Sequence, residues 1–194
     1  MYAKYFKRVL DFLLSLIAII VLSPIFLIIA IAIKLDSKGP VFFLQERLGK
    51  NGKVFKIIKF RTMVVNAEHI GDGLKVKSEN DNRITRVGKI LRKTSLDELP
   101  QFVNVLKGEM SIIGPRPPVT YHPHKYEDYS DEQKKRFNVR PGITGLAQVR
   151  VRNSASWDDR IKIDVEYTEK ISFIMDIKIF FETFLNIIKK KNIY

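Results

Sequence analysis

Two carboxylates, Asp97 and Glu98, stand side by side in the run Ser95-Leu96-Asp97-Glu98-Leu99-Pro100. Such a pair can bind Mg²⁺ through oxygen, or one member can attack phosphorus as a nucleophile. A structural role competes. Ser95 and Glu98 match the S-x-x-E capping box, and acids favour the first turn of a helix. Pro100 complicates that role. With Ser95 as N-cap, the proline would be the fifth helical residue and would waste a backbone hydrogen bond. With Asp97 as N-cap, Pro100 falls in the first turn, where it is tolerated. Either way the carboxylates sit where backbone N–H groups gather, a place that also suits a phosphate.

Around this pair the chain supplies cations near apolar or turn residues: Lys56, Lys59, Arg61, Arg83, Arg86, Arg92 and Arg116. They can form a solvated or lipid-facing surface, or a phosphate clamp, for which the bidentate guanidinium is well shaped. Arg116 is flanked by prolines in Gly114-Pro115-Arg116-Pro117, so its backbone is held with little conformational freedom. Asp164 follows Ile161 and Trp157 at helical spacing, on a face expected to be buried. A lone buried carboxylate is costly, so Asp164 needs either an arginine partner or a substrate or metal to face. His122 and His124 flank Pro123, which prevents helical ligand spacing, and are read as loop residues. Trp157 is read as core.

The elements that must hold these residues follow from pattern. Residues 41–47 and 54–63 read as short extended or mixed segments around a Gly49, Asn51 and Gly52 turn. Residues 64–85 read as a polar loop, and 86–94 as a short basic helix. A further helix starts near residue 96 and ends at Gly108. Residues 112–118 are extended. Ser130 with Gln133 opens a helix to about residue 138 through a capping box, and 140–153 reads as loop and strand. Ser156 with Asp159 opens another helix. The final stretch, SFIMDIKIFFETFLNIIKKK, is helical with a narrow polar stripe of Asp176, Thr183, Asn186 and Lys190. It suits a membrane surface or a protein core.

The N-terminal region sets the compartment. Residues 12–33 carry no charge over 22 positions. As a helix rising about 1.5 Å per residue they would reach roughly 33 Å, enough to cross a bilayer core of about 30 Å. KLDSKG follows, which is no signal-peptide cleavage site. Ser23-Pro24 lies mid-segment, where a kink is expected, and the Ser23 hydroxyl is a local partner for the carbonyl freed near Ile20. Each arm is then about half the hydrocarbon thickness. Residues 1–11 carry a net charge of +2 and the rest +11, so both flanks favour the cytoplasmic side. A helix that enters and leaves through one face satisfies both; a plain kinked span remains open at this level.

Composition bounds what else is possible. The chain has 194 residues, 45% of them hydrophobic, which can build a core. The absence of cysteine excludes disulfides, thiolate metal sites, iron–sulfur clusters and cysteine catalysis. A formal charge of +13 points to an anionic partner: nucleic acid, phospholipid or a phosphorylated small molecule. A membrane-tethered nucleic-acid-binding or lipid-binding module without catalysis is the competing class, although no helix-turn-helix or other nucleic-acid motif is present.

The tracts KRVLDF with Ser23-Pro24, GPVFFLQERLG, FKIIKFRTM, DNRITRVGKILRKTSLDELPQFVNVLKGEMSIIGPRP, RPGITGLAQV and DVEY–ISFIMDIKI, nearly the whole chain, resemble the bacterial sugar transferases called monotopic phosphoglycosyl transferases. The similarity is to the small stand-alone form. It implies an α+β, mainly helical fold: a re-entrant membrane helix broken at Ser23-Pro24 over residues 1–36, and a catalytic domain over 37–194 with short strands and membrane-surface amphipathic helices. It implies transfer of a phospho-sugar from a UDP-sugar to polyprenol phosphate, releasing UMP, at the cytoplasmic face of the bacterial plasma membrane. Such a reaction initiates assembly of a glycoconjugate. In that role Asp97 attacks the sugar-bearing phosphate and forms a covalent intermediate in a ping-pong course, with Glu98 assisting and Mg²⁺ near Asp97. Lys59, Arg92 and Arg116 match family positions near phosphates and nucleotide, and Asp164 matches an acidic residue at the site. Anionic lipid is an expected partner, nucleic acid is not, and a homo-oligomer is left open. Val151 stands where family members often have Gly before an Arg-Asn pair, here Arg152-Asn153, which puts the shape of that loop in question.

Overall fold

A computed structural model describes residues 2–67, 70, 81–151 and 155–188. Among the described residues helices dominate, with four short strands in two separate two-stranded sheets. After a π-helical turn at Tyr2–Phe6, helix α1 runs Lys7–Asp36. It is the one described helix long and apolar enough to cross a membrane, and only 11% of its most apolar window is buried. A core helix would hide that surface, so α1 needs an apolar medium outside the protein. The helix continues through Pro24, where the sequence predicts a break. Ile20 O, the carbonyl that Pro24 cannot serve, accepts the Ser23 hydroxyl at 2.8 Å. The local replacement expected from the sequence is therefore made.

Both ends of α1 are tied to the same body. Near the start, Arg8 donates to the carbonyls of Val105 and Leu106, and Asp11 accepts from the backbone N–H of Ile112 at 3.0 Å. Near the end, Ile29 and Ile33 pack with Phe60 and Leu91, and Asp36 accepts from the N–H of Val87 at 2.9 Å. Arg61 then donates to the carbonyls of Ser37 and Lys38 and fixes the chain as it leaves the helix.

Strands β1 (Phe42–Leu48) and β2 (Val54–Phe60) form an antiparallel hairpin in which Phe43 faces Lys59 and Arg47 faces Phe55. The two are joined through Asn51 at φ 56° and Gly52 at φ 73°, left-handed positions that suit the Asn-Gly pair. Helix α2 (Arg86–Thr94) is capped by the Thr85 hydroxyl. A 3₁₀ turn at Leu96–Glu98 and helix α3 (Gln101–Lys107) replace the single helix expected from residue 96. α3 runs along the free edge of β2, where Asn104 accepts from the N–H of Ile58 and donates to Lys56 O, completing hydrogen bonds that a third strand would make.

Strands β3 (Ser111–Ile113) and β4 (Gly142–Thr144) pair in parallel. Between them, α4 (Asp131–Lys134) carries the expected Ser130–Gln133 capping box, and a 3₁₀ turn continues it to Phe137. The expected loop and strand over 140–153 is partly wrong: α5 (Leu146–Arg150) is helical. Val151 closes α5 at φ −123°, a conformation open to any L residue, so glycine's freedom is not needed there. Arg152 and Asn153 lie outside the described residues. Helix α6 (Trp157–Glu169) is capped by Ser156, as its sequence predicts. Trp157, expected in the core, is half-exposed; the His122 ring meets it edge-on and Arg160 lies over its face.

Helix α7 (Phe173–Ile188) turns its polar stripe inward. Asp176 bonds Tyr167, Thr183 bonds Thr144, and Asn186 donates to Val149 O, while Ile174, Phe180, Phe181, Phe184 and Leu185 are exposed. Lys190, the stripe's last member, lies outside the described residues.

Candidate active site

Three chain segments, α2, β2 and the 115–118 run, converge on the carboxylate pair. Ser95 ends α2 in the left-handed region at φ 57°, with its N–H on Arg92 O and Leu91 O and no side-chain cap on the following turn. The capping box is therefore absent. An N-cap serine needs an extended backbone, and this one reverses the chain instead. Glu98, freed from capping, accepts the Lys59 ammonium of β2 at 2.6 Å and the Arg116 guanidinium at 3.1 Å, both on Oε1. Asp97 makes no hydrogen bond or ion pair among the described residues.

The two acids therefore differ in acidity. For Glu98, burial opposes ionisation, but Lys59 and Arg116 outweigh it and hold the carboxyl well below the usual range. For Asp97, burial dominates; Lys59 pulls downward, Glu98 pushes upward, and the carboxyl is raised to about 6. At neutral pH Asp97 is mostly ionised, without a partner among the described residues, and more basic than an ordinary aspartate. Those are the properties of a carboxylate nucleophile.

The predicted site residues divide accordingly. Lys59, Glu98 and Arg116 are brought together, and Arg92, half-buried in the last turn of α2, adds positive potential at Asp97. Asp164 is one step removed: buried on α6, it pairs with Arg136 at 2.6 Å, and Arg136 also donates to Arg116 O at 3.0 Å. The arginine partner considered from the sequence exists, and the buried acid acts through it. Arg61 and Arg83 are not part of a phosphate clamp, because their guanidinium groups are spent on backbone carbonyls and, for Arg83, on Asp81. Lys56 and Arg86 are exposed on the surface. The rings of His122 and His124 pack against Trp157 and Tyr129.

Two residues that sequence reasoning passed over are Arg47, which donates to Pro117 O at 3.0 Å, and Arg136. Arg47 was legible as a cation inside an apolar strand. Arg136 carries no local signal, since its partner lies 28 residues away.

Among the described residues no cluster of three or more Asp, Glu or His could cage a metal. Glu98 engages Lys59 and Arg116 through Oε1, and Asp97 is without a partner among the described residues. This donor set fits an ion such as Mg²⁺, which commonly takes one or two carboxylates and completes its shell with substrate phosphate and water.

Comparison with known proteins gives the family. The family model described as bacterial sugar transferase matches residues 2–190. A UDP-N-acetylgalactosamine-undecaprenyl-phosphate N-acetylgalactosaminephosphotransferase of Aeromonas hydrophila is 46% identical over 187 residues, covering 95% of this chain and 44% of the relative. A UDP-glucose:undecaprenyl-phosphate glucose-1-phosphate transferase of Caulobacter vibrioides is 40% identical over 193 residues, covering 97% and 72% respectively. The galactosyl transferase CpsE of Streptococcus agalactiae is 44% identical over 183 residues, of which this chain spans 40% of the length. With the match extending over nearly every residue, the chain belongs to the bacterial sugar transferase family.

Proposed function

We propose that this protein transfers a phospho-sugar from a UDP-sugar to polyprenol (undecaprenyl) phosphate, releasing UMP, through a covalent intermediate on Asp97. The observation that carries the reading is the asymmetry of the pair: Glu98 paired with Lys59 and Arg116, Asp97 half-buried, raised to about 6 and unpartnered among the described residues. The relatives' names give the reaction class.

In the first step a carboxylate oxygen of Asp97 bonds to the sugar-bearing phosphorus of the donor. The phosphorus–oxygen bond to the uridylyl phosphate breaks, and UMP leaves with the electron pair. In the second step an oxygen of the acceptor phosphate bonds to the same phosphorus, and Asp97 is released as carboxylate. Two displacements divide one difficult transfer into two easier ones. Arg116, its side chain 42% exposed, keeps guanidinium N–H groups available for the donor phosphates while Glu98 orients it. Lys59 and Arg92 add positive potential where negative charge gathers on the leaving group. Asp97 together with the donor diphosphate would hold Mg²⁺, which neutralises phosphate charge when bound.

The acceptor's isoprenoid tail stays in lipid, so the nucleophile must lie at head-group depth. What supports this placement is that α1 and α7 both expose apolar faces while α7 keeps its polar stripe against the protein. We read α1 as entering and leaving through one bilayer face, bending at Ser23-Pro24. Support comes from its anchors, Arg8 and Asp11 at one end and Ile33 and Asp36 at the other, all on the same body. A plain span would put those anchors on opposite sides of the membrane.

Mass spectrometry of protein incubated with UDP-glucose or UDP-N-acetylgalactosamine, Mg²⁺ and no acceptor tests the reading. A phospho-sugar adduct on Asp97 that disappears when undecaprenyl phosphate is added is expected. Product formation with acceptor, but no adduct without it, would overturn the covalent route. For topology, cysteines introduced at residue 2 and at residue 125 should label from one side of a sealed vesicle; labelling from opposite sides would restore a span.

A further inference from the structure

Three of the four residues Pro115-Arg116-Pro117-Pro118 are prolines, so the segment has almost no N–H groups with which to pair. It is held by its carbonyls instead, and all four are taken. The outer two accept backbone donors: Pro115 O from the N–H of Gly142 at 2.9 Å, and Pro118 O from the N–H of Leu48 at 3.0 Å. The inner two, either side of the Arg116–Pro117 peptide bond, accept side chains. Arg136 donates to Arg116 O and Arg47 to Pro117 O, each at 3.0 Å.

We propose that Arg136, pinned by Asp164, and Arg47 are positioning residues that aim Arg116 at the donor phosphates. This rests on the function proposed above and adds three residues to its machinery. Among the described residues the Arg116 guanidinium has a single 3.1 Å bond, to Glu98, to orient it, so its direction depends on where its backbone is fixed. One nitrogen of Arg136, Nη2, serves both Asp164 and Arg116 O, which turns the buried acid into an anchor for the arginine above it.

Stability does not account for this arrangement. The Arg136–Asp164 pair has side chains 1% and 3% exposed, and the Nε and Nη1 of Arg136 are buried without a partner among the described residues. A buried ion pair with unsatisfied donors is often matched or bettered by apolar residues of similar volume. Among the described residues Arg47 forms no ion pair; it bonds Pro117 O and Gln45, and its Nε is buried without a partner there. Burial, aided by the nearby Arg116 charge, pushes its guanidinium down to about 10.

The test separates fold from function. The double variant Arg136→Met/Asp164→Leu should keep the parent's thermal midpoint or exceed it. Its kcat/KM for UMP release with UDP-glucose or UDP-N-acetylgalactosamine should fall roughly 10- to 100-fold, the scale expected when a substrate-positioning group is displaced by about 1 Å. Affinity for UDP, which carries the diphosphate without the sugar, should fall with it. In an Arg116→Ala background the same double substitution should change kcat/KM less than about twofold, because residues acting through one group are not additive. Arg47→Gln removes no ion pair, so it gives a second arm with the same expected behaviour should the repacked pair fail to fold. Parent-like kcat/KM in a folded double variant or in Arg47→Gln would overturn the inference, as would losses that multiply with that of Arg116→Ala. Full activity of Arg116→Ala would remove Arg116 from the site and the inference with it. The Asp97 adduct reports on the covalent reaction independently of all these variants.

Discussion

Asp97 and Asp176 are both acids drawn in where distant parts of the chain meet, and they are treated in opposite ways. Asp176 spends both oxygens: Oδ2 accepts the Tyr2 hydroxyl at 2.7 Å and the Lys7 ammonium at 2.6 Å, and Oδ1 accepts the Tyr167 hydroxyl at 2.7 Å. It joins the N-terminal turn, the start of α1, α6 and α7 into one junction. Asp97 spends neither oxygen among the described residues, although Lys59 stands beside its neighbour Glu98. A buried carboxylate without partners is a cost that the fold has not relieved, and unrelieved cost of this kind marks chemistry more reliably than a cluster of acids does.

Substitution at each acid should therefore fail differently. Asp97→Asn should reduce UMP release by at least about 10³-fold, the scale of removing a covalent nucleophile, while membrane association is retained. Sedimentation with membranes and a UMP assay check both halves; near-parent turnover would make the two acids equivalent. In the parent, kcat/KM for the donor should rise with pH through an apparent value near 6, as Asp97 loses its proton. Glu98→Gln removes a charge that pushes Asp97 up, so that acidic limb should move to lower pH whatever happens to the plateau.

Asp176→Ala should do the reverse. It strands Lys7, whose side chain is 12% exposed, together with two tyrosine hydroxyls. Breaking such a partly buried network costs on the order of 3 kcal/mol, so the thermal midpoint should fall by several degrees. UMP release measured well below that midpoint should stay within a few-fold of the parent. A specific loss of turnover without loss of stability would place Asp176 with Asp97 rather than opposite it.

The same contrast explains how much was readable beforehand. Elements governed by local chemistry were legible: α2 over 86–94, the Ser130 and Ser156 caps, the hairpin around Asn51-Gly52, and the Ser23–Ile20 bond. Motif matching found Asp97, Glu98, Lys59 and Arg116 together. What escaped depended on distant contacts. Ser95 has the residues of a capping box, but the chain reversal between α2 and α3 claims its backbone. Asp164 was recognisable as a costly buried acid, while its role depends on Arg136, which nothing nearby in sequence indicates. The polar stripe of α7 was visible, but whether it faced water or protein was decided by Thr144, Val149 and Tyr167 on other elements.

The smallest effect is the most direct measure of the cost placed on Asp97. Its carboxyl titrates near 6 in the folded protein and near 3.8 when unfolded. Between those values the folded state binds more protons than the unfolded one, so this group makes stability fall as pH rises from about 4 to 6, and the loss persists above. Asp97→Asn removes the titration. The variant should therefore be more stable than the parent at pH 7.5, by on the order of 1–3 kcal/mol given the size of the shift. The advantage should shrink as pH falls through 6 and vanish only below about pH 3, where the parent's Asp97 is neutral in both states. Thermal midpoints of the two proteins across that range give the comparison directly. An advantage that did not depend on pH would mean that the asparagine gains from packing or hydrogen bonding, and that Asp97 carries no stored electrostatic cost. A variant less stable than the parent at pH 7.5 would mean that Asp97 has a partner in the folded state after all, and the opposition between it and Asp176 would collapse.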